Sequence, residues 1–299
     1  MRWQAAAVLG VLLATTFSAT AREYRVYFLG GQSNMEGYGK FQDLPADLQQ
    51  VQENVWIFHG NTALDDQPGG GAGIWAPLQP GHGAGFAFQE GRNLYSERFG
   101  IELSFAKRLQ ELQPAEGIAL IKYARGGSSI AIAAARQFGC WDADYRDSTA
   151  VNQYDHFLAT VRQAFAIRDI DGDGQEDTLV PAGIVWMQGE SDADVDREVA
   201  FAYRDNLKRL MDLIRAALRV DDLPVVIGRI SDSGRDTDGR VWNYGEIVRH
   251  VQAEFVERDP AAALVTETDT YGYSDKWHYD SAGFIDLGKR FAEAVFRLH

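Results

Sequence analysis

Apolar, largely β-branched runs bounded by turn formers recur at residues 24–30, 55–59, 118–123, 182–187 and 225–230, with a weaker one at 263–266. Short runs that are apolar at successive positions, on both sides of the pleat, predict strands buried on both faces. Between them the apolar positions change period. Segments 102–112, 152–168, 194–220, 241–258 and 283–298 repeat them at three- and four-residue steps, as Leu207, Leu210, Met211, Leu213 and Ile214 do in the third. That spacing predicts amphipathic helices. Strands alternating with helices predict an α/β fold with a mainly parallel sheet covered on both faces.

Ligands of such sheets bind at the carboxyl ends of the strands. Three motifs stand there: "GGQSNMEG" after the first run, "ARGGSSI" after the third and "QGESDAD" after the fourth. Residues 60–100 break the alternation. This glycine-rich stretch with "WAPLQPG" reads as a long surface excursion, either a rim of the site or a plain connector.

The first residues have a different character. Arg2, an apolar core from Ala5 to Phe17 and the small-x-small triplet Ala19-Thr20-Ala21 form the pattern of a cleaved export signal over residues 1–21. The run is shorter than the ~20 residues of a membrane-spanning helix. Residues 22–299 then form one domain in the periplasm or outside the cell, without an interrupting linker or internal repeat. A single cysteine, Cys140, excludes an internal disulfide and reads as a buried structural thiol. Lys plus Arg is 29 against 43 Asp plus Glu, a net charge of −14. This excludes nucleic acid and anionic membrane as natural partners and favours a neutral substrate. Nothing in the composition fixes the oligomeric state.

A hydrolytic serine needs a base, a carboxylate to orient the base, and donors for the oxyanion. Ser33 follows a strand and two glycines that permit a sharp turn. It is a candidate nucleophile whose own N–H can face the oxyanion; the alternative is an ordinary turn. The Gly-x-Ser-x-Gly elbow is absent, because Met35 takes its last position. Among six histidines, His278 has Asp275 three residues before it, within one turn, and the alternative is a polar surface loop. Gly126 and Gly127 allow close approach of backbone N–H groups. Gln188 offers an amide after a strand, unless it merely caps a chain end.

In order, "GGQSNMEG", "KYARGGSSI", "WMQGESDAD" and "SDKWHYDSAGF" resemble the SGNH hydrolase superfamily, and within it the sialate O-acetylesterase and acetylxylan esterase group of carbohydrate esterase family six. The resemblance spans nearly all of residues 22–299. It implies a flavodoxin-like three-layer α/β/α sandwich that hydrolyses O-acetyl esters of carbohydrates without a catalytic metal. By the same resemblance Ser33 is the nucleophile, Ser33, Gly127 and Gln188 line the oxyanion hole, and Asp275 and His278 complete the triad. Ser128 stands where many relatives have threonine. Glu190 belongs to the Gln-Gly-Glu block and either supports the site or orients the histidine in place of Asp275.

The expected activity is removal of acetyl groups from acetylxylan or O-acetylated sialic acid through an acyl-enzyme. Alternatives are a lipase or thioesterase of this superfamily acting on longer acyl chains, and an inactive carbohydrate-binding protein on the same scaffold. Trp75, Trp141, Trp277 and Tyr273 are placed either to stack on sugars or to anchor loops. In "DIDGDGQEDTLV", Asp169, Asp171 and Asp173 alternate as in the first half of a calcium loop. Val180 stands where the bidentate glutamate belongs, so Gln175 and Asp177 are the nearest completing groups. The segment is either a structural calcium site or a solvated acidic turn.

Overall fold

The computed structural model describes residues 21–65 and 67–299. The expected export signal lies outside them, Ala21 apart. The central sheet has seven strands: β1 (Glu23–Gly31), β2 (Val55–His59), β3 (Trp75–Pro77), β4 (Gly117–Ala124), β5 (Thr178–Met187), β6 (Val225–Gly228) and β7 (Ala262–Val265). Their order is β7-β6-β5-β1-β4-β2-β3. The six apolar runs all form strands and pair in parallel, while β3 closes one edge antiparallel to β2.

Successive residues of β1 show why its run is continuous. Tyr27 packs edge-on against Phe105 at 5.4 Å and Phe28 against Phe157 at 4.7 Å, in opposite layers. Phe105 belongs to α2 (Glu102–Leu112), which packs on α6 (Ser281–Arg297). Phe157 belongs to α3 (Gln153–Ala166), followed on that face by α4 (Arg197–Leu218) and α5 (Gly245–Arg258). The result is a three-layer sandwich. In α4 the stripe Leu207, Leu210, Met211 and Ile214 is buried, so truncating Leu210 to Ala would cost about 2–5 kcal/mol.

Helix starts differ from the periodicity by a few residues, because side-chain caps decide them. Asn152 accepts from Asp155 N at 3.0 Å, Asp196 from Val199 N at 2.8 Å and Asp280 from Gly283 N at 2.8 Å. Helix α5 begins at Gly245 rather than 241, since the Val241 and Trp242 amides are held by Asp232. The 60–100 excursion contributes β3, and its Arg98–Phe99 pairs with Gly39–Lys40 beside the first motif. Trp75 and Trp141 are core anchors: their indoles donate to Ala164 O at 2.9 Å and Ser128 Oγ at 3.1 Å. Among the described residues no helix is long and apolar enough to cross a membrane.

From β1 the chain builds β2 and β4 on one side, then crosses to β5, β6 and β7 on the other. The carboxyl end of β1 is therefore the switch point at which open α/β sheets bind ligands.

Candidate active site

Gly31 ends β1 with φ +146°, and a Cβ there would stand 2.0 Å from the Met187 carbonyl. This exit, available to glycine alone, leads into α1 (Ser33–Glu36), a single helical turn opened by Ser33. Ser33 lines a cavity of about 350 Å³ together with Gly126, Gly127 and His278. Trp277, 48% exposed, stands at the same cavity.

His278 lies in the loop before α6. Its Nδ1 is 2.7 Å from Asp275 Oδ2, while Asp275 Oδ1 accepts from the Trp277 amide at 2.7 Å and the His278 amide at 2.8 Å. Burial pushes the Asp275 carboxyl up, and these three donors outweigh it, leaving the group below the ordinary carboxylate range. With Nδ1–H donating to Asp275, Nε2 keeps a free lone pair. The Tyr38 ring stacks on the imidazole at 3.6 Å and 3°. Arg98 in turn sits over Tyr38, 4.6 Å from its centroid.

Around this pair lies a buried polar network that spacing did not announce. Asn34, beside Ser33, donates to Glu190 Oε1 at 2.8 Å and to Trp277 O at 3.2 Å, and accepts from Tyr279 N at 3.3 Å. Glu190 thus meets Asn34 instead of His278; its Oε2 is buried without a donor among the described residues, and burial lifts its carboxyl to about 6. Asp192, also lifted to about 6 by burial, accepts from the Ile130 and Ala131 amides and from Gln188 Nε2 at 2.7 Å. It ties the second motif to the third.

Gln188 is not where an oxyanion donor has to be. Its amide is fully buried and does not line the cavity, because Nε2 is taken by Asp192, by Gln32 Oε1 at 3.2 Å and by Ser128 O at 3.3 Å. Gln32 does line it. Three donors, Gln188 Nε2 and the amides of Gly189 and Ser191, fix Gln32 Oε1 and leave its Nε2 without a partner among the described residues. The Gly126 amide is likewise occupied, donating to Glu36 Oε2 at 2.7 Å. The amides of Ser33 and Gly127 have no partner among the described residues. Gly127 adopts φ +76°, and a Cβ there would meet the Phe138 ring at 2.4 Å.

Asp169, Asp171 and Asp177 gather oxygens within 4.8 Å of one another, away from this cavity. Asp173 and Gln175 stand outside that cluster, with Asp173 Oδ1 accepting from the Gln175 amide at 2.9 Å. Cys140 is free and buried, its thiol pushed up to about 12 by burial.

The doubly wound sheet thus carries a serine turn after its first strand and an Asp–His pair before its last helix. A family model described as carbohydrate esterase, sialic acid-specific acetylesterase, matches residues 23–297, and the chain belongs to that family. No curated protein matches it. Among solved structures, a carbohydrate acetylesterase from Xanthomonas citri is similar at 20% identity and TM-score 0.64, over 92% of this chain and 56% of that one. A protein from Arabidopsis thaliana is similar at 19% identity and TM-score 0.61, over 92% of this chain and 98% of that one. NanS follows at 16% identity and TM-score 0.56, over 93% and 98%. At these identities the likeness speaks for the fold.

Proposed function

We propose that this carbohydrate esterase is an exported O-acetylesterase working through an acyl-enzyme at Ser33. The Ser33 hydroxyl attacks the acetyl carbonyl as His278 Nε2 takes its proton, and Asp275 holds the imidazole and its positive charge. The carbonyl oxygen becomes an oxyanion facing the Ser33 and Gly127 amides, each such donor being worth roughly 10²–10³ in kcat. Collapse breaks the ester bond, and His278 returns the proton to the departing sugar hydroxyl. Water then attacks the acetyl-serine by the same route, releasing acetate.

The observation that carries the reading is that Asp275 grips His278 at a cavity also lined by Ser33. The wall carries Glu36, Arg125, Arg136 and Asp194 beside the rings of Tyr38, Phe138, Trp242 and Trp277, and a cavity of about 350 Å³ suits a short acyl group. The test is acetate release from acetylated xylan and acetylated sialic acid, beside p-nitrophenol release from p-nitrophenyl esters of increasing acyl chain length. Turnover that rises with chain length would favour the lipase alternative, and none on any ester would favour the inactive one. N-terminal sequencing of secreted protein tests export, which predicts a start at Arg22.

A further inference from the structure

A second cavity, of about 250 Å³, lies past the carboxyl end of β6 and shares one lining residue, Trp242, with the active-site cavity. We infer that it is a glycan subsite, holding the sugar unit next to the one that bears the ester, with Trp242 as the common wall. The inference rests on the carbohydrate-ester reading above.

The chemistry of the second cavity suits a neutral, hydroxyl-bearing ring. In its lining Asp232 is spent on loop amides and Arg249 on Ile230 O and Asp269, which leaves the exposed side chains of Arg240, Asn243 and Glu246 to face a ligand. Together they offer both donors and acceptors, which match the hydroxyls of a sugar. The active-site cavity, at about 350 Å³, lies near the low end of the roughly 300–1,000 Å³ of small-molecule sites. A longer glycan therefore has to continue elsewhere, and Trp242 marks the side on which there is space.

Trp242 is partly exposed, and its indole nitrogen has no partner among the described residues. Its backbone is fixed. The Asp232 carboxylate accepts from Gly234 N at 2.7 Å, Val241 N at 2.9 Å and Trp242 N at 2.8 Å, closing the loop upon itself. An aromatic face with a polar edge on a preordered loop is suited to a pyranose and loses little entropy on binding it.

The same loop is tied to the catalytic one. Ser233 Oγ donates to Lys276 O at 2.7 Å, Arg235 Nη1 to Asp275 O at 3.0 Å, and Lys276 pairs with Asp236. A sugar seated against Trp242 is therefore positioned relative to Asp275 and His278. Binding energy gained there can orient the ester at Ser33.

The experiment compares acetate release from acetylated xylose, xylobiose and xylotriose, with p-nitrophenyl acetate as a substrate too short to leave the first cavity. The expected result is a kcat/KM at least tenfold higher for the disaccharide ester than for the monosaccharide ester. Asn243→Ala and Arg240→Ala, at exposed positions that line the second cavity alone, should remove most of that gain and leave p-nitrophenyl acetate turnover unchanged. Trp242→Ala should abolish the gain. Equal kcat/KM for mono- and disaccharide esters, or a gain that survives in both Asn243→Ala and Arg240→Ala, overturns the subsite and leaves the esterase reading standing. Turnover of p-nitrophenyl acetate with no acetate from any sugar ester overturns both.

Discussion

Asn34 Nδ2 donates to Glu190 Oε1 across 2.8 Å, joining the turn that carries Ser33 to the turn after β5 through a buried pair. Because Asn34 also holds Trp277 O and the Tyr279 amide, Glu190 steadies the residues on either side of His278 without touching its ring.

Glu190 should therefore act on kcat through position. Its carboxyl, lifted to about 6 by burial, is the stronger acceptor when ionised, so activity declines as pH falls through that value. His278 must also be neutral to take the serine proton. The acid limb of log kcat against pH should therefore be steeper in wild type than in Glu190→Gln. That variant should lose about tenfold in kcat, ~1.4 kcal/mol, with KM little changed. An unaltered slope and rate would reduce Glu190 to packing.

Ser33→Ala should abolish ester turnover while changing stability by less than about 1 kcal/mol, as checked by thermal unfolding beside the assay. Asp275→Asn should lower kcat by roughly 10³–10⁴ with a smaller effect on KM. If Glu190→Gln is crippled while Asp275→Asn works normally, the orienting role passes to Glu190.

Tyr38 stacks on His278 at 3.6 Å, and the face of its ring limits how the imidazole can tilt. Tyr38→Phe keeps that face and should stay within about threefold of wild type in kcat. Tyr38→Ala should lose about tenfold or more, since small misplacements of a catalytic group are costly. Equal damage from both variants would assign the effect to the hydroxyl.

The strands were legible because a parallel strand buried on both faces has to be apolar throughout, as Tyr27 and Phe28 are. Asp275 and His278 were legible because their contact is local, three residues along one turn. Gln32, Asn34 and Asp192 were not, since each acts through partners 60 or more residues away: Gln188 and the Gly189 amide for Gln32, Glu190 for Asn34, the Ile130 amide for Asp192. Gln188 illustrates the same limit. An amide after a strand can face a ligand or the protein, and Asp192, four residues on, draws it inward. The alternating acids of "GESDAD" were the available sign that a buried acceptor was near.

His59, at the end of β2, and His82, within the 60–100 excursion, meet through their Nδ1 atoms at 3.2 Å, both buried. Burial, reinforced by the Lys122 charge, holds both imidazoles below their ordinary range, His82 at about 3. An unfolded chain protonates them near ~6.5. Below that pH it binds protons that the native state refuses, and stability falls by up to ~1.4 kcal/mol per pH unit for each histidine. Glu190 and Asp192 work the opposite way, since the native state protonates them near 6, above their unfolded values, so their native forms gain stability as pH falls toward ~4. The test is thus a difference. Between pH 6.5 and 5, the Tm of His82→Asn should decline less steeply than that of wild type, and parallel curves would remove the pair from the acid response.

The Asp169–Asp171–Asp177 cluster gives the last test. Asp177 is fully buried, with Oδ2 accepting from Ile170 N at 3.0 Å, and Asp171 is held by Tyr24 at 3.1 Å and by Arg22 at 3.2 Å. Asp169 Oδ1 is buried without a donor among the described residues, and that is the atom a hard cation would satisfy. The Arg22 guanidinium already supplies one positive charge to Asp171, so the cluster is also tolerable without a metal. We propose that calcium binds here and pins the chain leading into β5. At calcium a hundredfold above its Kd, binding adds about 2.7 kcal/mol. For a domain of this size the Tm should then rise by at least several degrees over chelator-treated protein. Asp169→Asn, which leaves the contacts of Tyr24 and Arg22 in place, should erase the shift without lowering the Tm in chelator. Identical melting with calcium and with chelator, and no heat on titration, would leave the segment as an acidic turn neutralised by Arg22.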